Sequence, residues 1–134
     1  MDNEKIVSLI EVAIGAREMA YVPYSGFRVG AALMTKDGQV FPGCNIENAA
    51  FSPTNCAERT AFFSAIAAGN RDFAVIVVVG GPGDLLIKNC FPCGVCLQVM
   101  AEFCREDFRI IIAESPKHWR KFALSDLLPF SFKL

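Results

Sequence analysis

The sequence predicts an α/β fold, a three-layer domain in which helices cover a mixed sheet. Three observations lead there. Apolar residues recur at helical spacing near the N-terminus, an Asp37-Gly38 pair separates two β-friendly runs, and Ala74 to Val79 is an almost unbroken β-branched stretch. With 134 residues the chain can bury one core but not two, so residues 1–134 are expected to form a single domain.

Each element follows from its residues. Ile6, Leu9, Ile10, Ala13, Ile14 and Met19 mark one face of a helix of about four turns, with Asn3 placed to cap it. Tyr21 to Gly26 breaks that helix. Arg28 to Met34 and Gln39 to Asn45 then read as two strands joined by Thr35-Lys36-Asp37-Gly38, a strong signal for an antiparallel hairpin. A second helix opens at or beside Cys56 and runs through an alanine-rich segment to Ala68, before Gly69-Asn70. Ala74 to Val79 suits a strand buried on both faces, and Gly80 to Gly83 should end it. Gly94 to Phe103 reads as a third helix and Phe108 to Ala113 as another buried strand. Lys117 to Leu128 fits either a weak strand or a short helix. Helix, hairpin, helix, strand, helix, strand is the order of a sheet with helices on its faces.

The totals exclude several functions. With 13 basic against 14 acidic residues, the chain lacks the positive footprint of a nucleic-acid binder. No apolar run approaches the roughly 20 residues of a membrane span. The acidic opening Met1-Asp2-Asn3-Glu4 is unlike a secretory leader, so six cysteines are expected as thiols in a reducing, cytoplasmic setting. Apolar residues reach 53% and charged residues only 20%, a surplus that suits subunit contacts.

The spacing of those cysteines carries the chemistry. Cys93 and Cys96 follow Pro92, and Cys56 stands two positions before Glu58 at another predicted helix start. A structural zinc usually closes with a fourth protein ligand, whereas three thiolates leave one position for water and make the metal catalytic. Glu58 can reach that water without ligating the metal, and a single carboxylate can protonate a ring nitrogen and then a departing amine. A lone Cys-x-x-Cys pair also serves redox proteins and zinc knuckles. Joined to Cys56-Ala57-Glu58 it becomes the three-cysteine form of the zinc-deaminase signature. Three thiolates on a divalent ion need compensation, which helix N-termini and Arg59 can supply. Cys44, Cys90 and Cys104 suit core or loop positions, Cys90 being the one to watch as a fourth ligand, and the lone His118 suits the surface.

Over almost the whole chain these residues resemble the small homotetrameric zinc-dependent cytidine deaminases. The resemblance rests on Tyr21-x-Pro23-Tyr24-Ser25-x-Phe27-x-Val29-Gly30, Gly43-Cys44-Asn45-Ile46-Glu47-Asn48, Cys56-Ala57-Glu58-Arg59, Pro92-Cys93-Gly94-x-Cys96 with Gln98, and Leu127-Leu128-Pro129-x-x-Phe132. It implies a five-stranded mixed sheet, one Zn2+ per subunit and a homotetramer. It further implies deamination of cytidine and deoxycytidine to the uridines, with release of ammonia, in pyrimidine salvage. By the same resemblance Phe27 lies against the base, Asn45 and Glu47 meet the ribose hydroxyls, and Ala57 also touches substrate. Phe51 and Phe132 are expected to reach into a partner's pocket. Leu97 stands where many relatives carry arginine, and Phe51 where tyrosine is usual. Two alternatives stay open: another small aminated nucleoside or heterocycle as substrate, or a noncatalytic zinc-stapled nucleoside binder.

Overall fold

A computed structural model describes residues 1–134. Its elements are α1 (Asn3–Arg17), β1 (Phe27–Thr35), β2 (Val40–Cys44), α2 (Ala57–Ala67), β3 (Phe73–Pro82), α3 (Gly94–Phe103), β4 (Arg109–Ser115), β5 (His118–Ala123) and α4 (Leu124–Leu127). The strands form one five-stranded sheet in the order β2-β1-β3-β4-β5. Only β3 and β4 run parallel, and the other three pairings are antiparallel. No helix is long and apolar enough to cross a membrane.

Alternation along the strands divides the core between two faces. Ala32, Met34, Val75, Val77, Val79, Ile111 and Ala113 pack with Ile6, Leu9, Ile10 and Ala13 of α1. The opposite face carries Ala31, Leu33, Ile76, Val78, Ile110 and Ile112, packed with Ala61, Phe62 and Ala65 of α2 and with Leu97, Met100 and Ala101 of α3. This gives the expected three layers, α1, then the sheet, then α2 with α3. β3 is apolar on both sides because both sides are covered.

Local chemistry explains the points where sequence and structure differ. Helix α1 is capped by Asp2, whose carboxylate accepts from the Lys5 amide at 2.9 Å, and Asn3 is already helical. The hairpin turns at Gly38, whose φ of +94° is natural only for glycine. Strand β3 continues through Gly80 and Gly81 to Pro82, further than its residue types suggest, because Gly80 and Gly81 pair with Val29 and Arg28 on β1. Both glycines are required sterically: a Cβ at Gly80 would lie 2.5 Å from the Cys90 sulfur, and one at Gly81 would lie 2.1 Å from the Leu85 carbonyl oxygen. The ambiguous tail contains both candidate forms, β5 and then the one-turn α4.

Arg17 is an unexpected member of the interior, at 2% exposure. Its Nη2 donates toward the carbonyl oxygens of Gly81 and Gly83 at 2.9 Å and of Leu85 at 3.0 Å, and its Nε toward Arg28 O at 3.3 Å. The guanidinium therefore ties the turn after β3 to the end of α1.

Helix α1 approaches the sheet closely because β1 carries glycine at position 30. A Cβ there would fall 2.0 Å from Ala13 O and 2.8 Å from Arg17 N. Gly30→Ala is expected to lower the free energy of unfolding by about 1–3 kcal/mol, the usual range for overpacking, as read from urea melts. An unchanged midpoint would show that α1 does not sit this close.

Candidate active site

The second and third helices begin side by side, and the cysteines stand at those beginnings. Cys56 is the N-cap of α2, Cys93 is the N-cap of α3, and Cys96 lies in the first turn of α3. Neither N-cap side chain caps the backbone N–H groups of its helix, which leaves both sulfurs free for other partners. The unpaired N–H groups of each first turn favour negative charge nearby.

The three Sγ atoms lie within 4.8 Å of one another. Cys56 Sγ and Cys93 Sγ are 3.8 Å apart. Zinc–sulfur bonds of about 2.3 Å in tetrahedral geometry space the sulfurs about 3.8 Å apart, so these donors fit a zinc ion in number, softness and separation. Cys90 does not join the group. It is 7% exposed, directed at Gly80, and its thiol is pushed up to about 12 by burial and then by the charge of Glu58.

Arg59 faces the same sulfurs from α2. Its Nε donates to Cys96 Sγ and its Nη2 to Cys56 Sγ, both at 3.4 Å. The Cys56 thiol is held below the usual thiol range by the neighbouring Cys96, Arg59 and Cys93, against the opposing effect of burial. The neighbouring Cys56 sulfur, together with burial, pushes the Cys96 thiol up. Leu97 is 7% exposed and packs in the core under α3, so its position supplies no cation.

Glu58 is the buried acid of the group, at 3% exposure. Removal from water pushes its carboxyl up to about 7, and the nearby Cys56 charge adds to the rise. A carboxyl in that range can both hold and release a proton near neutral pH. Ala57, between Glu58 and Cys56, is wholly buried, its carbonyl oxygen against Gly43, where a Cβ would come within 2.3 Å.

The polar residues nominated for substrate lie on the loops beside β1. Asn45 accepts from Val29 N at 2.9 Å and donates to Phe27 O at 2.8 Å. That fastens the start of β1, and the carboxamide keeps a second N–H and a second lone pair for a ligand. Glu47 accepts from the amides of Tyr24 and Ser25 and from the Ser25 hydroxyl, and that hydroxyl holds its carboxyl below the usual range. Phe27 is half-buried against the α2–α3 core.

A cleft of about 380 Å³ is lined by Tyr24, Ser25, Glu47, Asn48, Phe51 and Thr54, and none of the three cysteines lines it. Phe51 is 79% exposed with φ of +58°, and Phe132 is 69% exposed, its carbonyl accepting from Gln98 Nε2 at 3.0 Å. In a single chain these two rings contribute to no core. His118 is exposed and shares a contact with Ser115 Oγ at 3.2 Å, as suits a surface residue.

Sequence reasoning named every member of the sulfur group, Glu58 and Arg59. It missed Arg17 and the Ser25–Glu47 pairing, which no local spacing announces. Since Arg59 is the only side chain seen donating N–H groups to the sulfurs, Arg59→Leu is expected to weaken zinc binding about 10- to 100-fold, measured by competition with a chelator. Unchanged affinity would remove Arg59 from this task.

Residues 3–112 match the family described as cytidine and deoxycytidylate deaminase zinc-binding region. A protein of Halalkalibacterium halodurans named cytidine deaminase is 49% identical over 92% of this chain and 91% of its own length. One of Sporosarcina psychrophila with the same name is 47% identical over 98% of this chain and 92% of its own. The crystal structure of cytidine deaminase from Burkholderia pseudomallei superposes with a TM-score of 0.85 at 50% identity, covering 93% of this chain and 97% of that one.

Proposed function

From a chain that belongs to the cytidine and deoxycytidylate deaminase family, we infer a zinc-dependent hydrolytic deaminase that converts cytidine and deoxycytidine to uridine and deoxyuridine with release of ammonia. One observation carries the reading: three sulfurs grouped at two helix starts with a buried carboxyl two residues from the first of them.

Cys56, Cys93 and Cys96 would hold one zinc per chain, and Glu58 would stay outside the ligand set. When bound, zinc supplies the Lewis acidity that makes water nucleophilic near neutral pH. The protein moves the protons. One water is consumed and one ammonia leaves, so ring N3 must gain a proton as oxygen adds to C4, and the amine must gain one as its bond to C4 breaks. Glu58 serves both transfers in turn, which its buried, near-neutral carboxyl suits. Arg59 offsets sulfur charge. The Phe27 ring would face the pyrimidine, and the spare capacity of Asn45 and the carboxylate of Glu47 would meet the ribose. Ala57 would back the base beside Glu58.

We read residues 1–134 as one catalytic domain that works as a homotetramer in a reducing, cytoplasmic setting, serving pyrimidine salvage. Exposed Phe51, Phe130 and Phe132, at 79%, 94% and 69%, support the assembly, as does a sugar-side cleft that the metal ligands do not line. Phe51 and Phe132 would then complete a neighbour's pocket.

The test is an ultraviolet assay with cytidine, deoxycytidine, cytosine and adenosine, with and without chelator. Cytidine and deoxycytidine should turn over and chelator should stop them; faster turnover of adenosine or cytosine would overturn the substrate assignment. Glu58→Gln should fold, keep about one zinc per chain and lose about 10²- to 10⁴-fold in rate. Normal turnover in that variant would remove Glu58 from proton transfer.

A further inference from the structure

Cys93 is the exposed member of the sulfur group, and the segment entering it, Lys88 to Pro92, lies outside every helix and strand. Upstream the chain is tied down by the Ile87 amide, which donates to Gly80 O at 2.8 Å, and by the carbonyls that Arg17 collects. Downstream it is fixed once α3 begins. Between these points, none of the main-chain hydrogen bonds formed in loops and caps ties residues 88–92 to another element.

One side chain reaches this strap from across the fold. Arg120 of β5 donates through Nη2 to Lys88 O and to Asn89 Oδ1, both at 2.7 Å. Its guanidinium carbon lies 5.4 Å from the Phe91 ring centre and 5.5 Å from that of Phe122. Phe91 and Phe122 meet edge to face, with centres 5.3 Å apart. Arg120 and Phe122 are two residues apart on one strand and so share a face, opposite Ile112 and Ile110 of β4. Cys90 and Pro92 turn inward, and Phe91 turns outward onto the arginine.

We propose that Arg120, seated against Phe91 and Phe122, is a positioning residue that holds the Lys88–Pro92 strap and so keeps Cys93 in place to retain the metal. A planar guanidinium suits this task because it can donate to two oxygens while its face covers rings. Lysine offers a point charge without the flat face that meets the rings. The edge strand β5, remote from the sulfurs in sequence, thereby acts on the one ligand that the core does not enclose. The proposal rests on Cys56, Cys93 and Cys96 being the zinc ligands.

The experiment follows zinc release from the intact protein to a chromogenic chelator, together with the absorption spectrum of the cobalt(II)-substituted protein. Arg120→Ala is expected to release zinc about tenfold faster and to alter the sulfur-to-cobalt charge-transfer bands; Arg120→Lys should recover only part of both. Lys121→Ala, on the other face of β5, should match the unsubstituted protein. Ile6→Val, in the core on the far side of the sheet, controls for general loss of stability. Release from Arg120→Ala at the unsubstituted rate, or Ile6→Val releasing as fast as Arg120→Ala, would overturn the proposal. Failure of the unsubstituted protein to take up zinc would instead overturn the ligand assignment beneath it.

Discussion

Two helices must begin at one point, and most of the fold serves that constraint. Three sulfurs within 4.8 Å of one another concentrate potential negative charge, which is tolerable only where donors converge. The first turns of α2 and α3 bring their N–H groups there, and Arg59 brings a guanidinium. The parallel pairing of β3 with β4 requires a crossover, and α3 is that crossover. The β1–β2 hairpin delivers the chain to α2 on the same face. Ligands of open α/β sheets gather at the carboxyl ends of strands, and the chain leaving β3 there leads directly to Cys93.

Glu58 shows how one position serves both packing and chemistry. It occupies the first turn of α2, where a carboxylate interacts well with the helix dipole, yet it is almost fully removed from water. Burial dominates and lifts its proton affinity. An exposed glutamate at the same helical position would be a good helix starter and a poor proton carrier. Cys90, close enough to feel that charge, is buried as a neutral thiol and contributes shape.

The parts legible in the sequence were those written in short spacing. Asp37-Gly38 announced a hairpin, Ala74 to Val79 announced a covered strand, and the cysteines with Glu58 and Arg59 announced the centre. What stayed hidden depends on residues distant in sequence. Nothing in the local sequence marks Arg17, because the carbonyls it serves come from the turn at Gly81 to Leu85, 64 to 68 positions away. Gly80 and Gly81 read as strand breakers because their use, leaving room for Cys90 and Leu85, is visible only in three dimensions. The tail looked ambiguous because it contains a strand and a helical turn in succession, each too short to establish a period of its own.

The sulfurs of Cys56 and Cys93 meet although 37 positions separate them along the chain. An ion held by both closes that long loop only while the chain is folded, so it stabilises the fold by mass action rather than by restricting the unfolded chain as a disulfide would. Occupancy of the centre and stability of the fold are thus linked, and removal of the ion is expected to lower the stability of the protein as well as its turnover.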